Sequence, residues 1–105
     1  MILFDVNVLL NAHRSGQAHH VVARELLESV VNAPPPFAIS ESVLGAFVRI
    51  ATHARAFMTP RTQARGSIVA DAQHAALAIE HGCEWISFDR DFSRFPGLRW
   101  RHPLD

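Results

Sequence analysis

The chain has no lysine and no tyrosine, and it has one cysteine among its 105 residues. A single cysteine, Cys83, excludes an internal disulfide, which fits a reducing cytoplasm. No basic segment leads into a long apolar run at the N-terminus, and no stretch is long enough to cross a bilayer, so neither a signal peptide nor a membrane span is expected. The net formal charge is zero, so a nucleic-acid partner would have to be held by a local patch.

What the sequence does contain is typical of one globular domain. Apolar residues make up 49% of the chain and charged residues 19%, which excludes a disordered composition. A length of 105 residues predicts a single domain over 1–105. Short apolar runs alternate with segments of helical period, and residues 53–67 show no clear period and are predicted to form a loop. The predicted strands are 2–4, 37–39, 84–88 and 98–101, and the predicted helices are 6–13, 17–31, 41–50 and 68–81.

This alternation predicts an α/β domain with a mostly parallel sheet. Local signals support the boundaries of its elements. Ser40 is a favourable N-cap for the helix that follows it. Gly82 is a natural C-cap for the helix that begins at Ile68. After Asp89, a helical turn is expected over 91–95, with Phe92 and Phe95 pinning it to the core.

Acidic residues follow three of the predicted strands. Asp5 ends the first strand, Glu41 comes just after the second, and Asp89 ends the third, with Asp91 two residues later. Carboxyl ends of parallel strands share one edge of a sheet, where ligands bind. Asp71 lies in the first turn of its helix, where the helix dipole favours a carboxylate. The alternative interpretation is that each acid only caps a helix or solvates a turn.

If these carboxylates converge, they repel one another unless a cation offsets their charge. Mg²⁺ and Mn²⁺ prefer oxygen ligands of this kind. Asp5 stands between apolar residues, so its carboxylate is expected to be poorly solvated and to need a partner. Arg90, which lies between Asp89 and Asp91, is expected to offset part of the negative charge.

Three segments resemble the signature blocks of PIN-domain ribonucleases, and most closely those of the VapC toxins of bacterial toxin–antitoxin pairs. They are "ILFDVNVLLNAH" (2–13), "ADAQHAALAIEHG" (70–82) and "FDRDFSRFPGLRW" (88–100). The resemblance implies a PIN-like three-layer fold with a short, mostly parallel central sheet. It also implies an Mg²⁺- or Mn²⁺-dependent endoribonuclease that hydrolyses RNA with metal-activated water and is silenced by a cognate antitoxin.

The resemblance also implies roles for individual residues. Asp5, Asp71 and Asp89 resemble the three metal-binding catalytic aspartates, and Asp91 is a further carboxylate beside them. Asn7 resembles the small polar residue that supports the first aspartate. In addition, Arg49, two residues after Phe47, resembles an arginine that the family carries in this helix and is the candidate for binding RNA phosphates.

Two features depart from the family pattern. Ala46 stands where the family usually carries a glutamate, and Glu41, more than a turn earlier, either replaces that glutamate as a metal ligand or merely occupies the first turn of its helix. Typical relatives also have a block of two helices and an edge strand between the equivalents of Thr59-Pro60 and Arg65-Gly66. In this chain the short segment 59–66 connects these ends directly. Loss of this block truncates the fold and would leave apolar surface bare. A homodimer that completes the fold is therefore expected, and the alternative is a catalytically impaired remnant that binds an antitoxin or another PIN subunit.

Overall fold

Strands and helices alternate along the chain in the computed structural model, which describes residues 1–34, 36–52 and 68–105. The predicted loop at 53–67 lies outside these residues. The α/β alternation predicted from the sequence is confirmed. The described elements are β1 (Ile2–Phe4), α1 (Val6–His13), α2 (His20–Val31), β2 (Phe37–Ala38), α3 (Glu41–Ala51), α4 (Ile68–Glu80), β3 (Glu84–Ile86), a 3-10 helix (Arg90–Arg94) and β4 (Arg99–Arg101).

The four strands form one sheet in the order β2-β1-β3-β4, and every pair is parallel. Ile2 is in register with Phe37 on one side and with Glu84 on the other. Helix α1 packs against α2 and α3, and α4 packs against β3. The result is a three-layer α/β fold, in which the carboxyl ends of all four strands lie at the same edge of the sheet.

The core is built from the two central strands and the helices beside them. All three residues of β1 are buried, which explains why the strand has an unbroken apolar sequence rather than an alternating one. Phe4, Trp85 and Ile86 are completely buried. The ring of Phe92 meets Trp85 edge to face with centroids 5.4 Å apart, and this contact confirms that Phe92 pins the 3-10 helix to the core.

Predicted helix caps are confirmed. Ser40 accepts a hydrogen bond from the backbone N–H of Val43 at 3.2 Å, which caps α3. Gly82 has φ +64° at the end of α4. Its N–H donates to the carbonyl of Ile79, and the N–H of Cys83 donates to that of Ala78, so the helix ends in a Schellman motif.

Two predicted boundaries are wrong by a few residues. Helix α2 begins at His20 instead of residue 17. Strand β3 ends at Ile86 instead of Phe88, because the Phe88 N–H donates to the side chain of Asn7 and the chain turns away from the sheet. Within the described ranges, no helix is long and apolar enough to span a bilayer.

Candidate active site

Asp5 lies at the carboxyl end of β1, beside the end of β3. Its backbone N–H donates to the carbonyl of Ile86 at 2.9 Å, and only 7% of the residue is exposed. One carboxylate oxygen, Oδ1, accepts from the N–H of Val6 at 2.7 Å and caps α1. The other, Oδ2, accepts from Ser87 Oγ at 2.7 Å and from Asn7 Nδ2 at 3.4 Å. The buried carboxylate therefore has the partners that its burial requires.

Ser87 and Asn7 connect Asp5 to Asp89. The Ser87 hydroxyl accepts from Asn7 Nδ2 at 3.1 Å and from the Asp89 N–H at 3.0 Å, while Asn7 Oδ1 accepts from the Phe88 N–H at 3.1 Å. These bonds fix the chain where it leaves β3. Ser87 is completely buried and was not predicted as a site residue. The signal that could have found it is a small hydroxyl residue directly after a buried strand and two residues before a predicted ligand.

Asp89, Asp91 and Asp71 lie around the 3-10 helix. Asp89 Oδ1 accepts from the N–H of Asp91 at 2.9 Å and caps this short helix. Asp71 is in the first turn of α4 and is 5% exposed. Its Oδ2 accepts from Arg94 Nη2 at 3.1 Å, and Arg94 Nη1 lies 3.9 Å from Asp91 Oδ2. One guanidinium thus joins carboxylates of two separate elements.

The charges at this edge of the sheet are not balanced. Burial raises the pKa of Asp5, although the hydrogen bond from Ser87 opposes the shift. Burial also raises the pKa of Asp71, and the negative charge of Asp89 raises it further, against the opposing effect of Arg94. Because each ionised acid disfavours the ionisation of its neighbours, the cluster would gain from a further cation.

His74 also lies near this cluster, although it was not among the predicted site residues. It stands one turn after Asp71 on α4, and its ring stacks on Trp85 with centroids 5.1 Å apart. Its imidazole favours the ionised forms of Asp5 and Asp71. A histidine three residues after an acid on a helix shares its face, which is the signal that would have indicated it.

The donor set is one that suits a hard divalent cation. Asp5, Asp71, Asp89 and Asp91 offer only carboxylate oxygens, and oxygen ligands are what Mg²⁺ and Mn²⁺ prefer. Among the residues that the structure describes, no three His, Cys, Asp or Glu side chains are arranged so that they could hold one metal ion. In this conformation, Asp71 is paired with Arg94 instead. The donor chemistry therefore fits the ion, whereas the described arrangement does not place three of these side chains around one ion.

The other predicted site residues are not joined to this cluster by a contact in the described part of the chain. Glu41 is exposed in the first turn of α3, and Arg49 is exposed in the last turn of the same helix. Arg90, expected to offset the charge of its acidic neighbours, pairs with Asp105 at 3.6 Å. The cation that does contact the cluster is Arg94.

A groove of about 290 Å³ lies between α1, α2 and α3, away from the acidic cluster. Leu44 is 50% exposed there, and Val48, one turn further along α3, is 53% exposed. Apolar surface is therefore open on α3. The groove is lined by Leu9, Ala12, His13, Leu27, Ile39, Leu44 and Phe47.

Comparison with known proteins gives consistent matches. The PIN domain family matches residues 42–98. The chain is 34% identical to the VapC ribonuclease Mb2897 of Mycobacterium bovis and to ribonuclease VapC43 of Mycobacterium tuberculosis, in each case across 100% of this chain and 97% of the relative. It is 29% identical to ribonuclease VapC25 of M. tuberculosis, across 98% of this chain and 99% of the relative.

The alignments with the two relatives at 34% identity each span 142 positions, whereas this chain has 105 residues. About 37 alignment positions therefore have no counterpart in this chain, since 142 exceeds 105 by that number. The additional residues of these relatives lie within the aligned region, as expected if this chain lacks an internal block. Identity nevertheless extends over the whole chain.

Proposed function

The chain belongs to the VapC family of PIN-domain proteins, and from this premise we propose that it is a Mg²⁺- or Mn²⁺-dependent endoribonuclease, the toxin of a toxin–antitoxin pair. The observation that carries the proposal is the gathering of Asp5, Asp71 and Asp89 at one edge of the sheet. Asp5 directly follows β1, Asp71 lies in the first turn of α4, and Asp89 caps the 3-10 helix three residues after β3. The charge of Asp71 raises the pKa of Asp5 and the charge of Asp89 raises the pKa of Asp71, which supports their proximity. Relatives that align with 98–100% of this chain are named ribonucleases.

In this proposal Asp5, Asp71 and Asp89 hold the metal and are the catalytic residues, with Asp91 as a further ligand. When bound, a divalent cation would activate the attacking water and stabilise the charge on the phosphate oxygens. Asn7 and Ser87 hold Asp5 in place through their hydrogen bonds to Oδ2. The Asp89 carboxylate caps the start of the 3-10 helix, so Asp5 and Asp89 are each held in place by hydrogen bonds of the chain itself.

RNA is the proposed substrate and a cognate antitoxin the proposed protein partner. Arg49 is exposed on α3 and would contact RNA phosphates, which are bound chiefly through their charge. Glu41 is kept as a metal ligand only if RNA or metal brings it to the cluster, and its exposed first-turn position equally suits a helix-dipole role. A homodimer and a cytoplasmic location complete the proposal, the first supported by the exposed Leu44 and Val48.

A second function is favoured by specific observations. The chain has about 37 fewer positions than its alignment with the relatives, Ala46 replaces the usual family glutamate, and an apolar groove lies open on α3. A catalytically impaired PIN protein that binds an antitoxin or another PIN subunit would share these features. It would also leave the aspartate cluster without a use, which is why we rank it second.

The deciding experiment is an RNA cleavage assay on the purified chain with a 5′-labelled pool of single-stranded RNA. We expect cleavage in Mn²⁺ or Mg²⁺ and none after EDTA treatment. Asp5→Asn and Asp89→Asn remove a ligand charge with almost no change of shape, so both should lose cleavage. Circular dichroism on each variant verifies that the fold is kept.

Asp105→Asn is the matched control, because it makes the same chemical change in an exposed acid that pairs only with Arg90 among the described residues. It should cleave like the wild type. Cleavage by Asp5→Asn at the wild-type rate would refute the proposed site. A folded wild-type chain that cleaves nothing in either metal would favour the binding function instead.

A further inference from the structure

Arg94 covers the carboxylate of Asp71. Its Nη2 donates to Asp71 Oδ2 at 3.1 Å, and the side chain of Asp71 is only 7% exposed whereas that of Arg94 is 40% exposed. The guanidinium therefore approaches from the solvent side and lies over a buried acid. Nη1 stands 3.9 Å from Asp91 Oδ2, and Cζ lies 5.1 Å from the centre of the Phe95 ring.

We propose that Arg94 is a built-in cation that occupies the carboxylate cluster before the metal binds and competes with the metal for Asp71. The inference rests on the proposed function, because it takes Asp71 to be a metal ligand. It adds that the resting site is closed by a residue of the same chain. A charged arginine near the same carboxylates repels a divalent ion, so metal entry has to move the guanidinium away.

One arginine does not neutralise all the negative charge of the cluster. Asp71, Asp89 and Asp91 carry up to three negative charges, and Arg94 supplies one positive charge to two of them. A divalent ion supplies twice that charge and binds carboxylate oxygens at shorter distance than an N–H donor does. The ion can therefore displace Arg94, yet it must do so against an ion pair that is already formed.

The side chain of Arg94 borders solvent, into which the guanidinium could be displaced. Its side chain is two-fifths exposed, and it lies at the last residue of the 3-10 helix, with its neighbour Phe95 half-buried. The other three arginines between residues 90 and 101 have partners outside the cluster: Arg90 pairs with Asp105, Arg99 donates to the carbonyl of Gly82, and Arg101 pairs with Glu84. Competition with the metal is therefore specific to Arg94 among these four.

A purely structural role is the competing explanation, in which Arg94 only ties the 3-10 helix to α4. Both explanations predict that Arg94→Gln lowers the metal-free melting temperature, because a partly buried ion pair is lost. Only competition predicts that the same variant binds metal more tightly. The affinity for Mn²⁺, measured without RNA for the wild type and Arg94→Gln, therefore distinguishes competition from a purely structural role.

The experiment is calorimetric titration of Mn²⁺ into EDTA-treated, dialysed protein at constant ionic strength. We expect Arg94→Gln to bind Mn²⁺ about fivefold or more tightly than the wild type, the lower end of ordinary coupling between two binding events. Arg94→Lys keeps a positive charge and should remain near the wild-type affinity. Arg90→Gln is the matched control, because it removes a neighbouring arginine that pairs with Asp105, and it should leave the affinity unchanged.

Each outcome decides the question. Tighter binding by Arg94→Gln, or binding by this variant when the wild type binds none, supports competition. Equal affinity in the wild type and Arg94→Gln overturns it and leaves Arg94 a structural role, and weaker binding overturns it by making Arg94 a helper of the metal. If neither the wild type nor any folded variant binds Mn²⁺, the metal site of the proposed function fails, and this inference fails with it.

Discussion

Ser87 is the residue on which the geometry of the acidic cluster depends most directly. Its buried hydroxyl donates to Asp5 and accepts from the side chain of Asn7 and from the N–H of Asp89. Ser87→Ala would leave these three groups without their common partner. We expect the free energy of unfolding to fall by about 1–3 kcal/mol, the cost of leaving buried polar groups unsatisfied, as measured by urea unfolding.

Ser93→Ala is the control for this change, since Ser93 is exposed on the 3-10 helix. It should alter the free energy of unfolding by less than about 0.5 kcal/mol, as is usual for surface substitutions. Equal stability of Ser87→Ala and the wild type would mean that water replaces the hydroxyl without cost. The network would then not be the reason why Asp5 and Asp89 lie together.

At this scale, the sequence located the acids and indicated Asn7 beside Asp5, but it did not indicate Ser87 or Arg94. Asp5 and Asp89 follow apolar runs, so their position at strand ends could be predicted from local pattern alone. Ser87 and Asp5 are 82 positions apart, and Arg94 and Asp71 are 23 apart. Such pairs depend on the order of the strands in the sheet, which no local pattern encodes. For the same reason the sequence indicated Arg90 as the cation that offsets the acidic charges, whereas the arginine that contacts Asp71 and Asp91 is Arg94.

At the scale of elements, the turn from α4 to β3 sets the distance between Asp71 and the end of β3. Gly82 makes this turn with φ +64°, a conformation that glycine adopts without the steric cost that a Cβ brings. Gly82→Ala should therefore destabilise the protein by about 1 kcal/mol, even though no atom lies within 4 Å of the added methyl group. Thermal and urea unfolding measure the change.

Gly45→Ala provides a matched comparison, because Gly45 lies inside α3 with equally open space around it. Its φ is not positive, so alanine should stabilise the helix by roughly 0.5–1 kcal/mol. The same substitution is thus expected to have opposite signs at two sites. Destabilisation of similar size at both would show that crowding by the new methyl group, rather than backbone conformation, controls the result.

Element types were predictable because each has a strong local cause. The apolar run of β1 and the helical period of α1 follow directly from the sequence, and both have the predicted bounds. The start of α2 was misplaced because no side chain caps it, so the boundary has no sequence signal. The end of β3 was misplaced because a side chain 81 positions away, Asn7, takes the N–H of Phe88.

For the whole molecule, the same strand pairing that builds the apolar core brings mutually repelling carboxylates together at the carboxyl edge of the sheet. Burying Phe4, Trp85 and Ile86 requires β1 and β3 to be neighbours, and this pairing brings Asp5 and Asp89 to the same end of the sheet. The net charge of the chain is zero, yet the acids are concentrated locally. Metal-free protein therefore stores an electrostatic cost that the composition alone does not reveal.

Asp71→Asn measures that cost. Burial and the charge of Asp89 raise the pKa of Asp71 in the folded state above its ordinary value of 3.8. At a pH above 3.8, ionisation of this carboxyl therefore costs more in the folded chain than in the unfolded chain, and it lowers the free energy of unfolding. In EDTA at pH 7.5 the variant should melt at a higher temperature than the wild type, and its amide oxygen can still accept from Arg94. As the pH falls through the raised pKa toward 3.8, the wild type takes up the proton and the difference should close.

Saturating Mn²⁺ should reverse this order of stability, because an ion that binds only the folded state must stabilise it. At a free concentration 100 times the dissociation constant, the gain is about 2.7 kcal/mol, which corresponds to a rise of roughly 10–20 °C in a domain of this size. The wild type should show the rise and Asp71→Asn should not, while Asp105→Asn should behave like the wild type in both conditions. A cooperative melt that is indifferent to Mn²⁺ in the wild type would mean that the carboxylates do not assemble around an ion, and the chain would then be a folded binding protein that has kept the aspartates without their chemistry.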